Sequence, residues 1–323
     1  MQLKFVVPPQ QAGWYVRDFL RACGVSSTAI RRAKRTPPGI LADGRPVYAN
    51  AAVAAGMCIS LPACPEASPT VQPQPLPVRI LWEDAAAALL EKPAAMPVHP
   101  SLTWKEGTLA NAWLGELARR GQTGGFHPVW RLDRDTSGLL LAAKSAAAQP
   151  FLQRSCRKVY AAVLQGCPPQ PEGTVCAPIG RAADSIIRRC VDPAGQSAVT
   201  HYRVLAANGR YALAVFWLET GRTHQIRVHM AQLGCPVAGD TLYGTAAGLE
   251  RQALHCAAAA FSSPLGRPGE VERCFCDFPP QLLAAAGLSA AQPLLYAACR
   301  ALLNGIPQPC IDDGAAVTNG KIL

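Results

Sequence analysis

The chain has 323 residues, half of them hydrophobic, and carries 31 lysines and arginines against 21 acidic residues, a net charge of +10. That length and apolar content support a soluble protein with one large domain and a small companion, and the charge excess favours a polyanionic partner. Apolar runs such as Ala85–Leu90 fall far short of the roughly 18 residues of a membrane span, and Met1–Val7, mixed in polarity and followed by Pro8 and Pro9, carries no secretory pattern.

The first elements read as a small module. Val16, Phe19, Leu20 and Cys23 recur at helical spacing, and Gly24 suits the end of that helix. Ser26 or Ser27 can cap a second, short helix bearing Arg31, Arg32, Lys34 and Arg35, which Pro37 and Pro38 terminate. Ile40-Leu41 and Val47-Tyr48, joined through Asp43-Gly44, have the form of a β-hairpin. Two helices, one of them basic, followed by a hairpin resemble the S4-type RNA-binding module, which implies RNA contacts from Arg31, Arg32, Lys34 and Arg35. The module is assigned to 12–62. Pro62, Pro65, Pro69, Pro73, Pro75 and Pro77 make 63–77 an expected semi-rigid, extended linker.

A larger domain is expected over 78–288. Val78–Trp82 is strand-like, Lys92–Pro100 is extended and punctuated by proline, and Gly107-Thr108 starts a predicted helix over Leu109–Leu117. Thr200–Leu205 and Tyr211–Glu219 form paired strands with Asn208-Gly209 at the turn. Thr223 can cap a helix whose apolar side is Ile226, Met230 and Leu233, closed by Gly234, with His224 and Arg227 on another face. The fold class is α+β, mixed and built on a mainly antiparallel sheet. Residues 289–323 suggest a helix around Pro293–Leu303 and a loose tail of unknown role.

The stretch Arg131–Gly138, RLDRDTSG, followed at once by the apolar Leu139–Ala143, packs two carboxylates and two guanidiniums into one turn. Desolvating an unpaired carboxylate costs several kcal/mol, so such a turn is either a structural ion-pair knot or an active site. Charge also clusters at Arg119-Arg120 and at Arg181, Arg188 and Arg189, a distribution that favours nucleic acid over a uniformly basic surface. Arg227 suits a fixed cation facing a carboxylate. His224 and His229, five apart, do not share a helical face, so no metal is expected. Thirteen cysteines, an odd number without a paired CxxC, point to reduced thiols in a cytoplasmic protein.

Four separated motifs, KPAAMPVHP at 92–100, RLDRDTSG at 131–138, Lys158-Val159-Tyr160-Ala161, and GRTHQIRVHMAQLG at 221–234, together resemble the RluA family of pseudouridine synthases in content and order. The resemblance covers about Val78–Phe278 and implies an RNA pseudouridine synthase acting on structured ribosomal or transfer RNA without a cofactor; a monomer is the default expectation. The resemblance implies that Asp133 is the catalytic aspartate, either nucleophile at the ribose C1′ or base at C2′. Arg131 would hold the flipped nucleotide, Tyr160 would stack on the uracil and assist proton movement at C5, and Arg227 would pair with Asp133. Arg134, Arg222 and His224 are assigned to RNA binding, and Asp135 to the turn or to Arg134.

The chain departs from the family pattern at three places: Trp130 stands where histidine is common, so any role of that histidine is absent, while Ala95 where glycine is common and Ala85–Ala88 in a segment normally branched and strand-forming touch packing more than chemistry. Two other classes compete. A non-catalytic RNA-binding or ribosome-assembly protein would leave the joint presence of Asp133, Tyr160 and Arg227 unexplained. A hydrolase using Asp133 and Asp135 would need adjacent turn positions to flank a substrate bond.

Overall fold

The computed structural model describes residues 2–62, 70–266 and 270–305. The first of these stretches folds as β1 (Gln2–Val6), α1 (Val16–Ala22), α2 (Ser27–Arg35), β2 (Leu41–Ala42), β3 (Arg45–Pro46) and β4 (Cys58–Pro62), with the sheet ordered β1-β4-β2-β3. The local signals act as their chemistry requires: Ser26 Oγ accepts the Ala29 N–H at 3.1 Å at the start of α2, and Asp43 and Gly44 both take positive φ in the hairpin turn. The sheet begins ahead of residue 12, where the module was expected to start. β1 pairs antiparallel with β4 along its whole length and brings Leu3 and Phe5 into the core.

The chain continues through β5 (Arg79–Glu83), β6 (Ala87–Lys92), α3 (Leu109–Arg119), β7 (His127–Pro128), β8 (Ser137–Ala143), α4 (Gln149–Ser155) and β9 (Arg157–Gln165). There follow β10 (Glu172–Cys176), β11 (Ile179–Arg181), β12 (Arg189–Val191), β13 (Val199–Ala207), β14 (Tyr211–Leu218) and α5 (Gln225–Gln232). The described chain closes with β15 (Leu254–Phe261), β16 (Glu272–Phe275), α6 (Pro280–Ala285) and α7 (Gln292–Gly305). Ten strands form one sheet whose main path runs β10-β13-β14-β9-β15-β8-β6-β5, with β16 on β15 and β7 on β8. Every pairing in it is antiparallel except β8 with β15, where Ser137 lies beside His255. β8 and β15 are buried at every position, which is why both read as continuous apolar runs with no alternation.

Gly138 is demanded where these two strands meet. Its φ is +104°, and a Cβ there would collide with the backbone of Cys256. α3 starts at Thr108 as expected: its hydroxyl accepts the Asn111 N–H at 3.3 Å and the Asn111 side chain accepts the Thr108 N–H at 3.0 Å. The helix runs two residues past Leu117, and Arg119 and Arg120 fold back onto Glu116 at 2.7 and 2.6 Å.

Two segments read as peripheral are packed. Of the proline-rich stretch, 63–69 lies outside the described residues, and the remainder is a strap along α3. Val71 is buried, the Gln74 N–H donates to the Asn111 carbonyl at 3.0 Å, and Asn111 Nδ2 donates to the Gln72 carbonyl at 2.8 Å. Gly115 permits this approach, since any side chain would strike the Gln74 carbonyl. α7 buries Leu295, Cys299, Leu302 and Leu303 with the β9–β14–β15 face, each worth roughly 1.5–3 kcal/mol for the larger side chains. Residues 306–323, expected as a tail, lie outside the described residues. The N-terminal unit leans on α4, with the Phe5 ring edge-on to Phe151 at 5.9 Å and Arg154 Nη1 donating to the Ala22 carbonyl.

Candidate active site

The cleft lies where β8, β9, β14 and β15 end near the start of α5. It encloses about 370 Å³ including its mouth, with Leu132, Leu218, Ile226 and Leu254 as apolar walls and Asp133, Tyr160 and Arg227 among its polar lining. Asp133 stands on the turn before β8, Tyr160 on β9 and Arg227 on α5, so three motifs remote in sequence converge.

Arg227 is buried, which opposes its charge, yet two carboxylates outweigh that penalty and raise its pKa. Its Nε and Nη2 donate to Asp240 Oδ2 and Oδ1 at 2.6 and 2.9 Å, and its Nη1 donates to Asp133 Oδ2 at 2.9 Å. The bidentate fork to Asp240 fixes the guanidinium plane, and the third nitrogen aims at Asp133. Asp133 keeps 26% of its side chain exposed, so the same carboxylate is both held and reachable from the cleft.

The Asp133 turn is fastened from two sides. Lys92, fully buried, donates from Nζ to the carbonyls of Pro93, Met96 and Arg134 at 2.7–2.8 Å. Burial pulls this amine down to about 7, while three carbonyl acceptors call for all three N–H donors of the ammonium. Arg251 donates to the Asp135 carbonyl at 3.2 Å and to Ser137 Oγ at 3.1 Å, and Ser137 Oγ bonds His255 Nδ1 at 2.8 Å. Burial, reinforced by Arg251, pushes His255 down to about 3, so its imidazole is neutral.

Tyr160 is buried at the cleft wall, and burial, reinforced by Cys256, Cys156 and Asp133, raises its phenol well above the usual range. It is a neutral aromatic surface at any physiological pH. The Arg227 guanidinium lies 5.0 Å from the centroid of a second ring, Tyr243, whose hydroxyl meets His224 Nδ1 at 2.8 Å and accepts the Arg189 N–H at 2.8 Å.

The start of α5 departs from the expected Thr223 cap. His224 occupies the cap position in the left-handed region, φ 59°, and makes no capping bond. The Gln225 side chain organises the turn instead, accepting from the Arg222 N–H and donating to the Val199 carbonyl, both at 2.9 Å. His224 thereby lies half inside the cleft, its Nε2 3.9 Å from Asp133 Oδ2, and burial lowers its pKa although Asp133 opposes the shift. His229 faces away, bonded to Thr200 Oγ1 and the Ala177 carbonyl at 2.8 and 2.9 Å.

Arg131 is exposed at the cleft rim, and Arg222 beside it is half-buried, its Nε donating to the Ser197 carbonyl at 2.9 Å. Arg134 forks onto Asp135 with two bonds of 3.0 Å, the pairing expected for Asp135. Arg31, Arg32, Lys34 and Arg35 are exposed on α2 and do not line the cleft. Trp130 is a buried packing residue whose indole N–H donates to the Leu139 carbonyl at 3.1 Å. Sequence reasoning missed Lys92, Asp240, Tyr243 and Arg251. Lys92 opens the motif at 92–100, but Asp240 lies beyond the motif at 221–234, and no spacing rule places it against a guanidinium 13 positions away.

Residues 87–232 match the RNA pseudouridylate synthase family. The chain is 45% identical over 206 residues to the RNA pseudouridine synthase YjbO of Bacillus subtilis (strain 168), covering 62% of this chain and 73% of that protein. It is 36% identical over 265 residues to ribosomal large subunit pseudouridine synthase D of Xanthomonas campestris, covering 75% and 78%. Human RNA pseudouridylate synthase domain containing 1, a solved structure, aligns with a TM-score of 0.56 at 25% identity over 72% of this chain and 97% of that one. With an α+β fold of this type and relatives of that identity and coverage, the chain belongs to the RNA pseudouridine synthase family. It is an isomerase acting on RNA, and among its described residues no helix is long and apolar enough to cross a membrane.

Proposed function

We propose that Asp133 starts the isomerisation of a uridine in structured RNA, with ribosomal RNA as the first candidate substrate and transfer RNA as the second. The observation that carries this reading is a carboxylate still open to the cleft while Arg227 Nη1 holds it at 2.9 Å and the Tyr160 ring shares the same cavity. A carboxylate so placed acts on the ribose, at C1′ as nucleophile or at C2′ as base. The C1′–N1 bond breaks, the uracil turns over against the aromatic face of Tyr160, C1′ bonds to C5, and the C5 proton leaves as N1 gains one. Atoms and electrons balance without an external reductant or oxidant.

A uridine must leave its stack to reach this cleft, at a cost of a few kcal/mol that phosphate contacts offset. Arg131 and Arg222 at the rim are positioned to supply them, and α2, on an N-terminal unit read here as an S4-type module over 12–62, extends the basic surface. Arg134 and His224 complete the RNA-contact set. The catalytic domain, expected over 78–288 and here carrying the Val71–Gln74 strap and α7, is read as acting in a cytoplasmic monomer, with neither metal nor cofactor. Support for ribosomal RNA comes from relatives named for the large ribosomal subunit.

The test is carbodiimide mapping of pseudouridine in total RNA from cells lacking the gene and from cells complemented with wild type or Asp133→Asn. Pseudouridines restored by wild type alone support the reading and name the substrate. Restoration by Asp133→Asn would remove Asp133 from the chemistry.

A further inference from the structure

We propose that Trp104, with Leu102 beside it, is a stacking platform for the nucleobase next to the flipped uridine, which makes this loop specificity-determining. The proposal rests on the chain's membership of an RNA-modifying family. Residues 101–107 are all exposed, with Leu102 at 98% and the Trp104 indole at 44%. A lone exposed leucine needs no explanation, but an exposed tryptophan ring set against a cation of the turn that carries Asp133 invites one.

The loop presents the ring on a fixed perch. Ser101 N–H donates to the Trp104 carbonyl at 2.8 Å and Trp104 N–H donates to Ser101 Oγ at 3.1 Å, which closes a tight turn with Leu102 and Thr103 at its tip. Both ends are tied down, since Leu109 N–H donates to the Pro97 carbonyl and Gly107 N–H to Gln74 Oε1, each at 2.9 Å. An anchored ring loses little conformational freedom on binding, which is what lets a stacking surface convert contact into affinity.

The perch is coupled to the chemistry. The Arg134 guanidinium lies 5.3 Å from the Trp104 ring centroid, and Arg134 is the residue after Asp133. Its fork onto Asp135 and the clamp of Lys92 on its carbonyl tie Arg134, and the ring it faces, to the turn that carries Asp133. The occupant follows from the surroundings. Arg134 against the ring, with Lys105 next to Trp104 in the chain and Arg131 on the same turn as Arg134, select a polyanion, while the flat apolar indole selects a planar ring on that polyanion. In RNA entering the cleft, the base adjacent to the extruded uridine is the group that has just lost its stacking neighbour, and the indole replaces it.

The experiment uses the full-length chain and a fluorescein-labelled hairpin RNA with a single uridine flanked by adenosines in its loop, alongside the same hairpin with either adenosine replaced by an abasic residue. Wild type should bind one of the abasic hairpins about tenfold more weakly than the intact RNA, the scale of one base on an aromatic ring. Trp104→Ala should bind the intact RNA weaker by about the same factor and no longer distinguish the two, and Trp104→Phe should recover most of the loss. Wild-type affinity for Trp104→Ala, or undiminished discrimination by it, would overturn the proposal. Binding is read without turnover, so a failure of the Asp133 assignment would show in the mapping experiment and leave this result standing.

Discussion

Arg227 divides its guanidinium between two aspartates, giving Nε and Nη2 to buried Asp240 and Nη1 to cleft-facing Asp133. Asp240 is thus a positioning residue that acts through the arginine. Asp240→Ala, which leaves a buried guanidinium half-paired, should cost about 3–5 kcal/mol of stability. Asp240→Asn retains one acceptor and should fold. Its single-turnover rate should nevertheless drop at least about tenfold, a loss of about 1.4 kcal/mol, with RNA affinity unchanged. Calorimetry and rapid-quench assays on the two variants separate the effects.

Ala95 holds φ at +60° in the loop that Lys92 pins. Left-handed backbone costs a non-glycine residue about 1–2 kcal/mol, and glycine returns about half of that through its freedom in the unfolded chain. Ala95→Gly should therefore stabilise the protein by about 0.5–1 kcal/mol, raising Tm by about 2 °C. Ala95→Val should lower it, as thermal melts of the two variants will show.

Lys92→Met removes one ammonium and strands three carbonyls. With about 1–3 kcal/mol lost per unsatisfied buried group, the variant should lose several kcal/mol in urea titrations. It should also lose rate, because the Arg134 carbonyl belongs to the Asp133 turn.

Acid should destabilise the protein before any carboxylate titrates. Burial lowers His224, His229 and His255, the last to about 3, while unfolded histidines titrate near 6.5. Below pH 6.5 the unfolded chain binds protons that the folded chain refuses, so stability falls as pH falls and is fully present only above 6.5. His255→Asn, which keeps an acceptor for Ser137, should lose about 2 kcal/mol less than wild type between pH 7.5 and 5 in urea melts at the two values.

Much of this architecture is written locally. Thr108 with Asn111 starts α3 where the sequence places it, Asp43-Gly44 turns the first hairpin, and the continuous apolar run after Gly138 is a strand buried on both faces. What escaped is non-local or depends on competition between side chains. β1 finds β4 across more than fifty residues, and Asp240 meets Arg227 only after the chain has turned back beyond α5. Thr223 has the right chemistry for a cap, yet the Gln225 carboxamide sets the turn by bridging the Arg222 N–H and the Val199 carbonyl, and His224 takes the cap position. Asp133, Tyr160 and Arg227, which meet in the cleft, were legible because each sits inside a motif, while the groups that hold them in place were not, because many side chains can do that work.

The strap of Val71–Gln74 on α3 bears on how this protein can be rebuilt. A chimera that swaps in another RNA-recognition unit must keep Val71, Gln72 and Gln74 with the catalytic domain and splice upstream of them. Cutting at the apparent boundary near Val78 would uncover the Asn111 amide and the groove over Gly115 and yield an enzyme weakened at the very helix that follows its first motif.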